Sequence, residues 1–68
     1  MTTLRQDAEW CRKAADELCQ IAARIRPYIQ SETREDMAFN VHSFVAGGCH
    51  GLRASAKMLL ELEKELNK

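Results

Sequence analysis

The residues best equipped for chemistry sit around Cys49 and His50. A cysteine beside a histidine suggests a thiol nucleophile with an imidazole base. Adjacent side chains on a regular helix point about 100° apart, however, so His50 is poorly placed to take the Cys49 proton unless this segment is a loop. His42 and Cys49 are seven residues apart and share a helical face, which could offer two metal ligands across a symmetric interface. Two ligands of mixed type fall short of the usual four. The simpler expectation is a buried, apolar Cys49 flanked by a polar His42. The sequence thus predicts no catalytic set, no metal site, no cofactor and no enzyme activity.

Binding residues are easier to nominate. Arg24, Arg26 and Arg34 gather beside Tyr28 around the single proline, Pro27. Guanidinium groups grip phosphates or an acidic partner surface, and a tyrosine ring can stack on a base. The competing reading is a solvated helix end whose basic residues satisfy the last carbonyls. Gly47, Gly48 and Gly51, followed by Ala54, Ser55 and Ala56, form a segment almost free of side-chain bulk. That segment is either a groove for a ligand or partner backbone, or a place where two helices pack closely. Trp10, the single tryptophan, could shield a bundle edge or anchor a partner.

The elements that must position these residues are helical. Helix 3–26 begins at Thr3, where Thr3 and Gln6 have capping-box spacing. Leu4, Cys11, Leu18 and Ile25 recur every seven residues, with Ala8, Ala15 and Ala22 beside them and Ile21 on the other flank. Arg5–Glu9, Arg12–Asp16 and Lys13–Glu17 are opposite charges four apart, suited to pairing along the helix. Pro27 should end this helix, leaving a connector over 27–32 in which Tyr28 and Ile29 cover the open end of the core.

Helix 33–67 is expected to start near Thr33, with Glu35 and Asp36 at its positive end. Its apolar stripe runs through Met37, Val41, Phe44, Val45, Gly48, Leu52, Ser55, Leu59, Leu62 and Leu66. Three glycines inside a helix cost about 3 kcal/mol relative to alanine, which favours a loop at 46–51 and a three-helix bundle. Against this, Ala38, Val45, Leu52, Leu59 and Leu66 keep a seven-residue spacing through the glycines. No residue stands ready to cap a helix beginning at Leu52. The favoured fold is therefore all-α, a hairpin of two long antiparallel helices, with the three-helix bundle as the alternative.

The composition of all 68 residues fits one domain over 1–68. A monomeric core of this size supplies only about 3–5 kcal/mol without some staple. Three cysteines without a CxxC pair or a preceding signal peptide argue against a disulfide framework and for a reducing cytoplasm. Self-association is left as the expected staple, a four-helix-bundle-type homo-oligomer with Leu4, Cys11, Leu18, Ile25, Phe44, Leu52, Leu59, Leu62 and Leu66 at its interfaces. Ten basic residues balance ten acidic ones, which disfavours nucleic acid as a partner. No apolar run approaches the ~20 residues that span a bilayer, so no membrane partner is expected.

The stretch His42-Ser43-Phe44-Val45-Ala46-Gly47-Gly48-Cys49-His50-Gly51-Leu52-Arg53-Ala54 resembles the closing helix of phage anti-CBASS sponge proteins, through Gly48, Leu52 and Arg53. The arginine-threonine pair of that helix is His42-Ser43 here. The resemblance implies an oligomeric hairpin that sequesters a cyclic nucleotide or another phosphate-bearing ligand, and it adds Arg53 to the candidate residues. On the residues alone, the leading expectation is an oligomeric interaction protein that binds or inhibits a protein partner. Trp10, Phe39, Met58 and Leu60 supply apolar surface beyond the needs of one seam.

Overall fold

The first helix starts where the Thr3–Gln6 spacing places it. In the computed structural model, which describes residues 3–67, Thr3 Oγ1 accepts a hydrogen bond from the Gln6 backbone N–H, and Gln6 Oε1 accepts one from the Thr3 N–H. This reciprocal box launches α1, Leu4–Ile25. Pro27 then tightens the chain into a 3₁₀ turn over Arg26–Tyr28. The ends of the expected domain, residues 1, 2 and 68, lie outside the described residues.

The second helix begins later than Thr33. Residues 33–36 form a turn, in which the Asp36 N–H donates to the Thr33 carbonyl and the Thr33 hydroxyl lies 3.0 Å from that of Ser31. Asp36 supplies the cap: its Oδ1 accepts from the N–H groups of Ala38 and Phe39. From there α2 runs as Met37–Leu66, unbroken through Gly47, Gly48 and Gly51. The seven-residue register outweighs the cost of the glycines, and the alternative with a loop at 46–51 is not the fold adopted. Nor does any helix among the described residues have the length and apolarity to cross a membrane.

Three cross-helix contacts fix an antiparallel register. Arg5 meets Glu63 at 3.1 Å, Arg53 meets Asp16 at 3.4 Å, and Cys19 is joined to Cys49. Arg5 and Asp16 thus reach across to α2, whereas the sequence suggested that they pair along α1 with Glu9 and Arg12. The disulfide corrects a second expectation. Counting cysteines speaks to a framework of bridges, whereas the hairpin brings one distant pair to a Cα–Cα separation of 6.1 Å, well inside the range a bridge requires.

The seam itself is thin. Ala8, Ala15 and Ala22 of α1 face Cys49 and Ala56 of α2, and among the described residues no large side chain is fully buried. Small residues let the two helix axes approach closely, but they remove little apolar area from water. Leu4, Cys11, Leu18 and Ile25 border this seam as half-buried residues. The outcome is a rod of 51 × 16 × 15 Å with a radius of gyration of 15.4 Å. A compact domain of this length would have a radius near ~11 Å.

Candidate functional site

Helical geometry divides the hairpin into two unlike flanks. On one flank, α1 contributes Cys19, Ala22, Ala23 and Arg26, and α2 contributes His42, Ala46, Cys49, His50 and Arg53. Together they line a groove of about 300 Å³ floored by the Cys19–Cys49 disulfide. His42, Ala46, His50 and Arg53 follow one another at spacings of four, four and three, which keeps them on one side of α2. The alanines leave the space, while two guanidinium and two imidazole groups supply its polar lining. Asp16 pairs with Arg53 of this lining at 3.4 Å. Such a groove can accept an anion, since its side chains present hydrogen-bond donors and positive charge.

Of the nominated residues, Arg26 and Arg53 come together here. Arg24 projects about 160° away from Arg26 around α1. Arg34 lies in the connector, where its carbonyl accepts from Asn40 Nδ2. Tyr28 is exposed at the turn, so the expected arginine–tyrosine cluster does not form as one site. His42 and His50 were not foreseen as partners of the arginines, although their spacing held the signal. Cys49 is buried and bonded to Cys19, which removes its thiol from any nucleophilic role in this state. Among the described residues no cluster of three or more potential metal ligands occurs.

The other flank is apolar. Met37, Val41, Phe44, Met58, Leu62 and Leu66 of α2 are all exposed, Phe44 at 82%. Interspersed on the same strip are Gly48, Gly51 and Ser55. Of the expected α2 stripe, Val45, Leu52 and Leu59 border the seam while these others face outward. Leu18 marks the same flank on α1, because a Cβ built on Gly48 would lie 3.1 Å from its Cδ1. Trp10, 66% exposed, extends the apolar arc along the outer side of α1. Ser55, Met58, Leu59 and Leu62 outline a shallow apolar groove in this flank.

The end of the rod near the connector is held by one carboxylate. Asp36 Oδ2 accepts from the N–H groups of Ser31 and Gln30, both at 2.8 Å, while Oδ1 caps α2. These backbone donors, Ser31 first, hold its pKa below the ordinary value of 3.8. Asp36 therefore acts as a structural clasp at the turn. Comparison with protein-family models, curated proteins and solved structures finds no match to this chain.

Proposed function

We propose that this chain is a non-enzymatic interaction protein, a two-faced hairpin that assembles through its apolar flank and, once assembled, binds or inhibits a macromolecular partner. The observation that carries this reading is the outward strip of large apolar side chains, among them Phe44, 82% exposed. Each such side chain is worth about 1.5–3 kcal/mol when fully buried, and a contiguous strip of them marks an interaction surface. Light scattering across a concentration series tests the reading. Assembly at micromolar concentration is the expected result, and a persistent monomer would remove it.

A second reading is favoured by the convergence of Arg26 and Arg53 with His42 and His50 in one groove. That lining suits a phosphate-bearing small ligand, as in an oligomeric sponge for cyclic nucleotides. Thermal-shift measurements discriminate, because ligand at 100 times its Kd stabilises the fold by about 2.7 kcal/mol. A panel of cyclic di- and trinucleotides producing no shift would exclude it.

A further inference from the structure

We infer that the occupant of the apolar flank is a second copy of this chain, its α2 lying antiparallel across the first with the crossing at Gly48 and Gly51. The inference rests on the assembly reading above and gives it a partner and a register. Glycine inside a helix is destabilising unless something requires its small size. Gly48 has a partial reason within the chain, since a Cβ there would lie 3.1 Å from Leu18 Cδ1, tighter than ordinary contact. Gly47 and Gly51 do not, since a Cβ at either meets nothing within 4 Å, and of these two only Gly51 lies on the exposed strip, facing outward at its middle. A helix from outside the chain, crossing closely at this point, supplies the missing reason.

The strip is also self-complementary. Its positions 37, 41, 44, 48, 51, 55, 58 and 62 are separated by four and three residues alternately, a sequence of steps that reads the same in both directions. A two-fold axis between Gly48 and Gly51 therefore sets Gly48 against Gly51 of the second copy and Phe44 against Ser55. Val41 then faces Met58, and Met37 faces Leu62. The summed bulk of the facing pairs grows from the glycine crossing towards both ends, which fills the gap that opens as two straight rods diverge. Phe44 enters the hole between Gly51, Ala54, Ser55 and Met58, spaced as knobs-into-holes packing requires and mostly small. In a parallel pair, Phe44 would meet Phe44 on one side of the crossing and Ser55 would meet Ser55 on the other, demanding a wide gap and a narrow one together.

Area and charge agree with this occupant. The chain exposes 5583 Å², against about 4,400 Å² for a compact protein of its mass. The excess of ~1,200 Å² exceeds the ~800 Å² that each partner contributes to a standard interface. No charged residue occupies the eight strip positions, and the formal net charge is zero, so two copies meet without strong repulsion.

The test uses the full chain with Cys11→Ser, so that Cys19 and Cys49 remain paired and no native thiol competes. Chains bearing Phe44→Cys are mixed with chains bearing Ser55→Cys under mild oxidation. A cross-linked heterodimer from the mixture, without homodimer from either alone, is the expected result. Homodimer from Phe44→Cys alone would establish a parallel pair and overturn the inference. Light scattering of the wild-type chain separates the two levels: a monomer removes the assembly reading itself, whereas an oligomer that yields no heterodimer removes only this register. Gly51→Leu, at a position with open space around its Cβ in the single hairpin, should weaken association at least ~100-fold with helicity retained by circular dichroism. Unchanged association would place the crossing elsewhere.

Discussion

Asp36 and Cys19 are not members of the exposed strip, and each sets a measurable property of the hairpin. The Asp36 carboxylate gathers backbone N–H groups from Ser31, Gln30, Phe39 and Ala38, and these donors favour its ionised form. Its folded pKa is depressed, so its stabilisation is complete above 3.8 and is lost as pH falls through the lower folded value. Asp36→Asn should therefore lower the melting temperature at neutral pH. The gap from wild type should close at strongly acid pH, and melts at the two extremes showing equal gaps would contradict this. The Cys19–Cys49 bridge closes a segment with a sequence separation of 30. Constraint of the unfolded chain by a loop of that size is worth about 3–4 kcal/mol. Urea unfolding with and without a reductant should show a loss of that order, and Cys19→Ser should reproduce it without reductant. This bridge was hidden in the sequence because pairing depends on the hairpin register, which no local pattern around Cys19 or Cys49 specifies.

At the level of the helix, the three glycines of α2 should respond differently to the same substitution. Gly47 has open space where a Cβ would go, so Gly47→Ala should gain most of the propensity difference, about 1 kcal/mol. At Gly48 the new methyl group must displace Leu18 Cδ1 by a few tenths of an ångström, so Gly48→Ala should gain less than Gly47→Ala. Thermal melts of the two variants that rank them in the opposite order would refute the placement of Leu18. The continuity of α2 was legible because Ala38, Val45, Leu52 and Leu59 hold one heptad register across the glycines. The same register misleads at its end. A straight helix drifts about 20° per heptad, so by Leu66 the line has rotated off the seam and into solvent. The start of α2 was misjudged by four residues, since Thr33 and Asp36 are both good caps and Asp36 also accepts from the connector's backbone N–H groups at Gln30 and Ser31. Which part of the broad apolar arc would face α1 was not legible either. That choice is made by the alanines of α1, which admit Cys49 and Ala56 at close range and leave Phe44 and Met58 outside.

Over the whole molecule, a rod with an alanine seam and a strip of large apolar side chains outside it is weakly held as a single copy. Its stability should then depend on how much of it is assembled. Association stabilises the folded chain by mass action, because the unfolded chain lacks the strip that pairs. The melting temperature should consequently rise steadily over a roughly hundredfold increase in chain concentration, as it does for any fold linked to self-association. Two variants separate this effect from intrinsic helix stability. Gly47→Ala strengthens α2 at a position with free space and should shift the whole curve upward while keeping its slope. Gly51→Leu blocks the crossing and should flatten the concentration dependence while the helices persist. If the wild-type melting temperature proves independent of concentration, the thin seam and its disulfide are sufficient by themselves, and the exposed strip must serve a partner other than this chain.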